Sequence, residues 1–124
     1  MGKNVAVVID GVLVTSLKII DTPGGDVMHA MKKSDDGYSS FGEAYFSIIE
    51  SGVIKGWKRH HEMTLNLVVP VGAVRFVVYD NRSASNSFGL FQQVELSAEN
   101  YYRLTVPPML WIGFQGVADV TSIL

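Results

Sequence analysis

An all-β fold, a sandwich or barrel of short strands, is what this sequence predicts, and three observations predict it. Turn-forming residues recur at short intervals: Asp10-Gly11, Pro23-Gly24-Gly25, Asp35-Asp36-Gly37, Ser51-Gly52, Pro70-Val71-Gly72, the polar run from Asp80 to Gly89, and Pro107-Pro108. Between them lie runs rich in β-branched and aromatic residues. No segment sustains a helical period for three turns.

The elements follow in order. VAVVI (5–9) ends at Asp10-Gly11, and VLVTSLKII (12–20) ends before Pro23-Gly24-Gly25. AYFSII (44–49) precedes Ser51-Gly52, and LNLVV (65–69) stops at Pro70. AVRFVVY (73–79) alternates cleanly: Val74, Phe76 and Val78 are predicted to point one way, Arg75, Val77 and Tyr79 the other. LFQQVEL (90–96) and YYRLTV (101–106) follow. The chain ends on DVTSIL, a β-prone run with no polar tail. It reads as a final strand completed by another chain or by residues beyond Leu124. No repeat, low-complexity stretch or composition shift marks a boundary, so one domain over residues 1–124 is expected.

Composition narrows the function classes. Hydrophobic residues are 48% and charged residues 18%, which suits a globular protein and not a disordered one. A net charge of −2 gives no reason to expect nucleic acid or an anionic membrane as partner. With no cysteine, disulfides, thiolate catalysis and cysteine-ligated metals are excluded. The apolar N-terminus is broken by Asp10 and Gly11, too short for a membrane span or signal peptide, and Ala6 stands where myristoylation wants Ser or Thr. A cytoplasmic location is expected.

The stretch GWKRHHEMT (56–64) concentrates the reactive groups. Read as a strand from Ile54 to Glu62, it puts Lys58, His60, Glu62 and Thr64 on one face and Trp57, Arg59, His61 and Met63 on the other. The adjacent histidines then point apart, and His60 with Glu62 makes too few ligands for a zinc or iron site, so no metal is expected. Two uses stay open. His60 facing a cavity suits acid–base chemistry, with Lys58 as a second base or an enolate partner. Otherwise the cluster is a solvated strand end with one structural histidine.

Other residues have plainer readings. His29 is expected as a polar strand or loop residue, and Trp57 and Trp111 as packing aromatics. Only one of Tyr101 and Tyr102 can point inward, NRSASNS (81–87) reads as a connection, and Gly72 and Gly89 as turn glycines.

GVIKGW (52–57), VGAVRFVVYDNR (71–82), SFGLFQQVELSAENYYRLTVPP (87–108) and GFQ (113–115) resemble, in the same order, the dTDP-4-dehydrorhamnose 3,5-epimerase family, a cupin jelly roll. That family reads approximately GVLRGLH, a glycine-led strand ending in D-x-R, then T-F-G, L-S-x-x-N and I-P-x-G-x-x-H-G-F. The resemblance implies a metal-free, cofactor-free site in a β-barrel that binds a nucleotide-diphospho-4-keto-6-deoxysugar. A histidine–aspartate dyad there removes a proton beside the ketone, a tyrosine returns one, and a lysine stabilises the enolate.

Carried over position by position, the family's first histidine falls on Lys58, its second on Ile112, and the glycine of its P-x-G motif on Met109. The phosphate-contacting arginine of the early D-x-R-G motif falls on Gly24, and the enolate lysine near Thr64 and Leu65. The tyrosine and the dyad aspartate would lie beyond Leu124. Lys55 keeps a cation where the family has arginine, Asp80 and Arg82 match D-x-R, and Glu43, Tyr45 and Ser47 stand where polar substrate-facing groups occur. Lys55 and Lys58 have opposite parity, so both reach one cavity only if Gly56 permits a bulge or twist. On the general metal-cupin pattern, Gly52 and His60 fit, but Lys58 replaces the first histidine and Thr64 stands near the glutamate, again giving no metal site.

Two functions are implied. One is an epimerase or isomerase of a nucleotide-linked 4-keto-6-deoxysugar in deoxysugar or cell-surface polysaccharide synthesis. In it Lys58, His60 and Asp80 are catalytic, while Lys55, Arg82, Glu43, Tyr45 and Ser47 bind substrate. The other is a cupin that binds a sugar nucleotide or a protein partner without turnover. A wet, concave site lined by Lys58, His60 and Asp80 would support the first, and a barrel filled by apolar side chains the second. A homodimer is expected from the open edges of a small β-sandwich and from the dimeric family.

Overall fold

The computed structural model describes residues 7–118 and 120–124. All of its regular elements are strands: β1 (Leu13–Ser16), β2 (Ile19–Ile20), β3 (Val27–Met28), β4 (Ser47–Glu50), β5 (Ile54–Arg59), β6 (Leu65–Leu67), β7 (Ala73–Tyr79), β8 (Phe91–Ser97), β9 (Tyr102–Val106), β10 (Trp111–Gly116) and β11 (Val120–Ile123). The four-stranded sheet has the order β5-β10-β7-β8, and the three-stranded sheet β1-β9-β6. β4 and β11 pair with each other, and Val68 and Leu124 exchange backbone hydrogen bonds of 3.0 and 2.8 Å, joining that ladder to the chain leaving β6.

The largest part of the core is an apolar cluster drawn from both sheets. Val74, Phe76 and Val78 of β7, Val94 and Leu96 of β8, and Ile112 of β10 meet Leu104 and Val106 of β9, Ile49 of β4 and Ile123 of β11. Phe114 packs against this cluster, with its ring 5.6 Å from that of Phe76. The alternation read from AVRFVVY is realised, with Val74, Phe76 and Val78 all 0% exposed.

Several segments differ from expectation. Residues 7–9 of VAVVI form no strand, although Ile9 is buried, and residues 5 and 6 lie outside the described residues. VLVTSLKII breaks into β1 and β2, and AYFSII becomes a strand only from Ser47. β5 stops at Arg59, short of Glu62, because the chain turns there: the Met109 N–H donates to the His60 carbonyl at 2.7 Å. β10 was not anticipated in the apolar stretch around Ile112. β11 pairs with β4, and Leu124 with Val68, inside this chain.

The outer face of the β1-β9-β6 sheet is covered by the chain from His29 to Gly37. Three side chains of β9 and its approach hold it. The Tyr101 hydroxyl donates to the His29 carbonyl at 2.8 Å. The Arg103 guanidinium, 1% exposed, donates to the carbonyls of Ala30 and Asp36 at 2.7 and 2.9 Å and lies 3.4 Å from the Asp35 carboxylate. Thr105 donates to the Asn66 side chain, which in turn donates to the Gly37 carbonyl. Buried carbonyls need such partners, so an arginine here is structural.

Candidate functional site

β5 and β10 pair Lys58 with Ile112 and Lys55 with Phe114, and the register shifts between these pairs. Gly56 and Trp57 therefore oppose Gly113 alone, which is a β-bulge. Without it, Lys55 and Lys58 would point to opposite sides of the sheet. With it, they stand opposite Ile112 and Phe114, two residues of equal parity that both face the core.

Gly56 makes this possible. Its φ is +155°, and a Cβ there would come within 2.8 Å of the Gly113 Cα. On the other face Trp57 lies over Gly113, and the Arg59 guanidinium sits 4.9 Å from the Trp111 ring centroid, a cation–π contact. Row by row, Arg59, Trp111, Tyr79 and Phe91 run across all four strands, and the Tyr79 and Phe91 rings stack 4.4 Å apart. Trp111 packs in this ladder as read from sequence, whereas Trp57 lies over Gly113 and stays half exposed.

Both lysines are exposed and neither forms an ion pair among the described residues. Lys55 Nζ donates to the Ile48 carbonyl at 3.3 Å, and nothing comparable holds Lys58 among the described residues. His60 follows β5 directly, half-buried, with its backbone pinned by Met109. Met109 has a φ of +72°, a left-handed conformation that favours glycine and costs other residues energy. The motif glycine that falls on this position was the sequence signal for that turn.

Asp80 and Arg82 are placed apart from the lysines. Asp80 directly follows β7, two strands from β5, and is 0% exposed. Its carboxylate accepts from Arg82 Nε and Nη2, each at 2.9 Å, and from the hydroxyls of Ser85 and Ser87, each at 2.6 Å. Arg82 also donates to the Asp10 carbonyl at 2.7 Å, tying the N-terminal segment to this turn. The Arg82 guanidinium, against the opposing effect of burial and with help from the two serines, holds the Asp80 carboxyl well below the usual carboxylate range. Each of these groups is occupied by the others, so the cluster is an internal clamp. NRSASNS is more than the plain connection read from sequence, since its Ser85 and Ser87 build that clamp.

Glu43 and Tyr45 lie exposed in the irregular chain before β4, and Ser47 opens β4 opposite Ile123. Thus Lys55 and Lys58 share a face, His60 adjoins them, and Asp80 with Arg82 does not. A shallow concavity of about 360 Å³ lies elsewhere, between residues 7–12 and Asn86 and Ser87. Among the described residues no three of His, Cys, Asp and Glu gather as metal ligands, and no helix is long and apolar enough to cross a membrane. Of the two tyrosines, Tyr101 is the buried one; burial raises its hydroxyl pKa, and that hydroxyl is committed to His29.

Two sheets closed on one apolar core, with a cationic strand at the edge, define a jelly roll of the cupin type. The chain belongs to the dTDP-4-dehydrorhamnose 3,5-epimerase family, whose model matches residues 7–124. Among solved structures it is similar to a dTDP sugar isomerase from Desulfovibrio desulfuricans G20, with 34% identity and a TM-score of 0.92, covering 97% of this chain and 78% of that one. A dTDP-4-dehydrorhamnose 3,5-epimerase from Sulfolobus tokodaii aligns at 26% identity and a TM-score of 0.81, over 99% of this chain and 73% of that one. A curated relative, the probable low-salt glycan biosynthesis epimerase Agl13 of Haloferax volcanii, is 27% identical over 118 residues, 94% of this chain and 76% of that protein.

Proposed function

We propose that this chain is a nucleotide-sugar epimerase or isomerase. It binds a nucleotide-diphosphate-linked 4-keto-6-deoxyhexose and exchanges the protons on the carbons flanking the ketone, within deoxysugar or glycan synthesis. Family membership across residues 7–124 supports the reaction class. The observation that carries the site is the bulge at Gly56, which sets Lys55 and Lys58 on one face of β5, with no carboxylate paired to either among the described residues.

Two ammonium groups with no ion-pair partner among the described residues suit an anionic ligand. In this reading Lys55, already anchored on the Ile48 carbonyl, takes the diphosphate, while Lys58 and His60 handle the proton beside the ketone. Glu43, Tyr45 and Ser47 border the sugar from the approach to β4. Asp80 and Arg82 support the site from a distance by fixing the β7–β8 turn. The unit is a cupin-like domain over 1–124 that works without metal or cofactor, as a cytoplasmic homodimer.

The test is proton exchange. The protein is incubated in heavy water with dTDP-4-keto-6-deoxyglucose, and the hydrogens at C3 and C5 are followed by NMR. Deuterium incorporation at either carbon is the expected result. Binding with no incorporation would make the chain a sugar-nucleotide binder without turnover, and neither binding nor incorporation would remove the sugar nucleotide as ligand.

A further inference from the structure

The four-stranded sheet has two faces, and only the inner one packs on the core. The outer face of the β1-β9-β6 sheet lies under residues 29–37, held there by Arg103. On the outer face of β5-β10-β7-β8, by contrast, Ile54, Trp57 and Phe91 stay 72%, 51% and 61% exposed. At such exposures, side chains of this size together present roughly 300–400 Å² of apolar surface, as much as the largest patch on an ordinary monomer. With the polar groups that surround them, the face is of the order of the ~800 Å² that each partner of a specific pair buries. Arg59 and Arg75 stand on the same face, and the Nε of each is buried with no hydrogen-bond acceptor among the described residues.

The charges on this face are laid out so that it fits a copy of itself. One row across the strands is Arg59, Trp111, Tyr79 and Phe91, and the row two steps below it is Ile54, Gln115, Arg75 and Glu95. Arg59 and Glu95 thus hold opposite corners, and Phe91 and Ile54 hold the other two. Four residues along a strand and three steps across a sheet each span about 14 Å, so the array is nearly square. A two-fold axis laid in the face along the Phe91–Ile54 diagonal exchanges the charged corners and returns each apolar corner to itself. We propose that two copies of the chain pair through this outer face, with Arg59 of each set against Glu95 of the other and Phe91 against Phe91. The strands of the two sheets then cross near a right angle, one of the two ways in which sheets pack face to face. Arg59 brings a guanidinium 4.9 Å from the Trp111 ring centroid and without an ion pair among the described residues. Glu95 pairs with Arg75 at 3.6 Å and keeps half of its side chain exposed, which leaves room for a second cation. This gives the homodimer proposed above its surface and rests on that reading.

The test is sedimentation velocity on the intact chain over a concentration series, with charge reversals at the two corners. The wild type should sediment as a dimer that dissociates on dilution. Arg59→Glu and Glu95→Arg should each weaken pairing by about tenfold or more, and the double variant should recover to within about threefold of the wild type. Phe91→Glu, which sets two carboxylates against each other on the axis, should leave only monomer. Far-ultraviolet circular dichroism checks that each variant folds. A dimer whose dissociation constant none of these changes moves overturns the face and leaves the homodimer standing on another surface. Single reversals that weaken pairing with no recovery in the double variant overturn the corner-to-corner fit. A wild-type chain that is monomeric at every concentration overturns face and homodimer together, and leaves the apolar face to a partner of another kind. Deuterium exchange into the sugar, measured on the same sample, separates that outcome from failure of the epimerase reading.

Discussion

Gly56 of β5 and Gly113 of β10 approach so closely that a Cβ on Gly56 would lie 2.8 Å from the Gly113 Cα. This contact allows the bulge, and the bulge turns Lys55 to the side of Lys58. The proposed chemistry therefore depends on a position that carries no functional group.

Gly56→Ala tests that dependence. The added methyl meets backbone, and the φ of +155° is unfavourable for alanine, so a loss of about 1–3 kcal/mol is expected. Gly42→Ala is the control, since open space surrounds it, and its effect should stay within about 0.5 kcal/mol. Urea denaturation of the pair measures the difference. Deuterium exchange into the sugar should fall in Gly56→Ala and be unchanged in Gly42→Ala.

The Asp80 clamp should show in the pH dependence of stability. The folded-state pKa of Asp80 lies below its ordinary 3.8, so on acidification the unfolded chain binds this proton first. Its contribution is then fully present above the unfolded pKa, and is lost as pH falls from about 5 down through the folded value. Asp80→Asn removes that contribution and leaves Arg82 poorly paired, at a cost of about 2–4 kcal/mol at neutral pH. Denaturation midpoints between pH 7 and 3 check both effects, and the variant should lose stability less steeply on the acid side.

Met109 pays for its left-handed backbone in conformational energy. Met109→Gly relieves a φ of +72° at the cost of a more flexible unfolded chain and some packing. A net gain of about 0.5–1 kcal/mol is expected, read as a higher denaturation midpoint.

Arg103 should govern the covering segment over β9. Arg103→Met leaves the carbonyls of Ala30 and Asp36 without their donor inside the protein. A loss of about 2–4 kcal/mol is expected, with faster backbone amide exchange concentrated in residues 29–37. Hydrogen exchange followed by mass spectrometry locates the change.

How far the sequence was legible depends on the range of the interaction involved. The alternation of AVRFVVY reports burial directly, because each residue of a strand faces one side, and β7 follows it residue by residue. The need for a bulge was visible in the opposite parity of Lys55 and Lys58. Its other half, Gly113, was not, since close approach between strands is a tertiary fact. β5 ended early for a similar reason: the turn at Met109 takes the His60 carbonyl, and only the motif glycine hinted at it. β10 carries Gly113 in its middle and follows two prolines, so its strand character was masked in the sequence.

Asp80 and Arg82 illustrate the opposite error. A carboxylate and a guanidinium two residues apart read as site groups, yet at the end of β7 they bond to each other and to Ser85 and Ser87. Arg103 carried no site signal, and only the chain folded over β9 explains why an arginine stands in an apolar strand.

The central claim is that the lysine face of β5 performs the proton exchange, and one measurement tests it most directly. Initial rates of deuterium incorporation at C3 and C5 of dTDP-4-keto-6-deoxyglucose are compared between the wild-type chain and Lys58→Ala. The account predicts incorporation by the wild type and a loss of about 100-fold or more in the variant, the scale typical of removing a proton-transfer group. A Lys58→Ala protein that exchanges at the wild-type rate would contradict it.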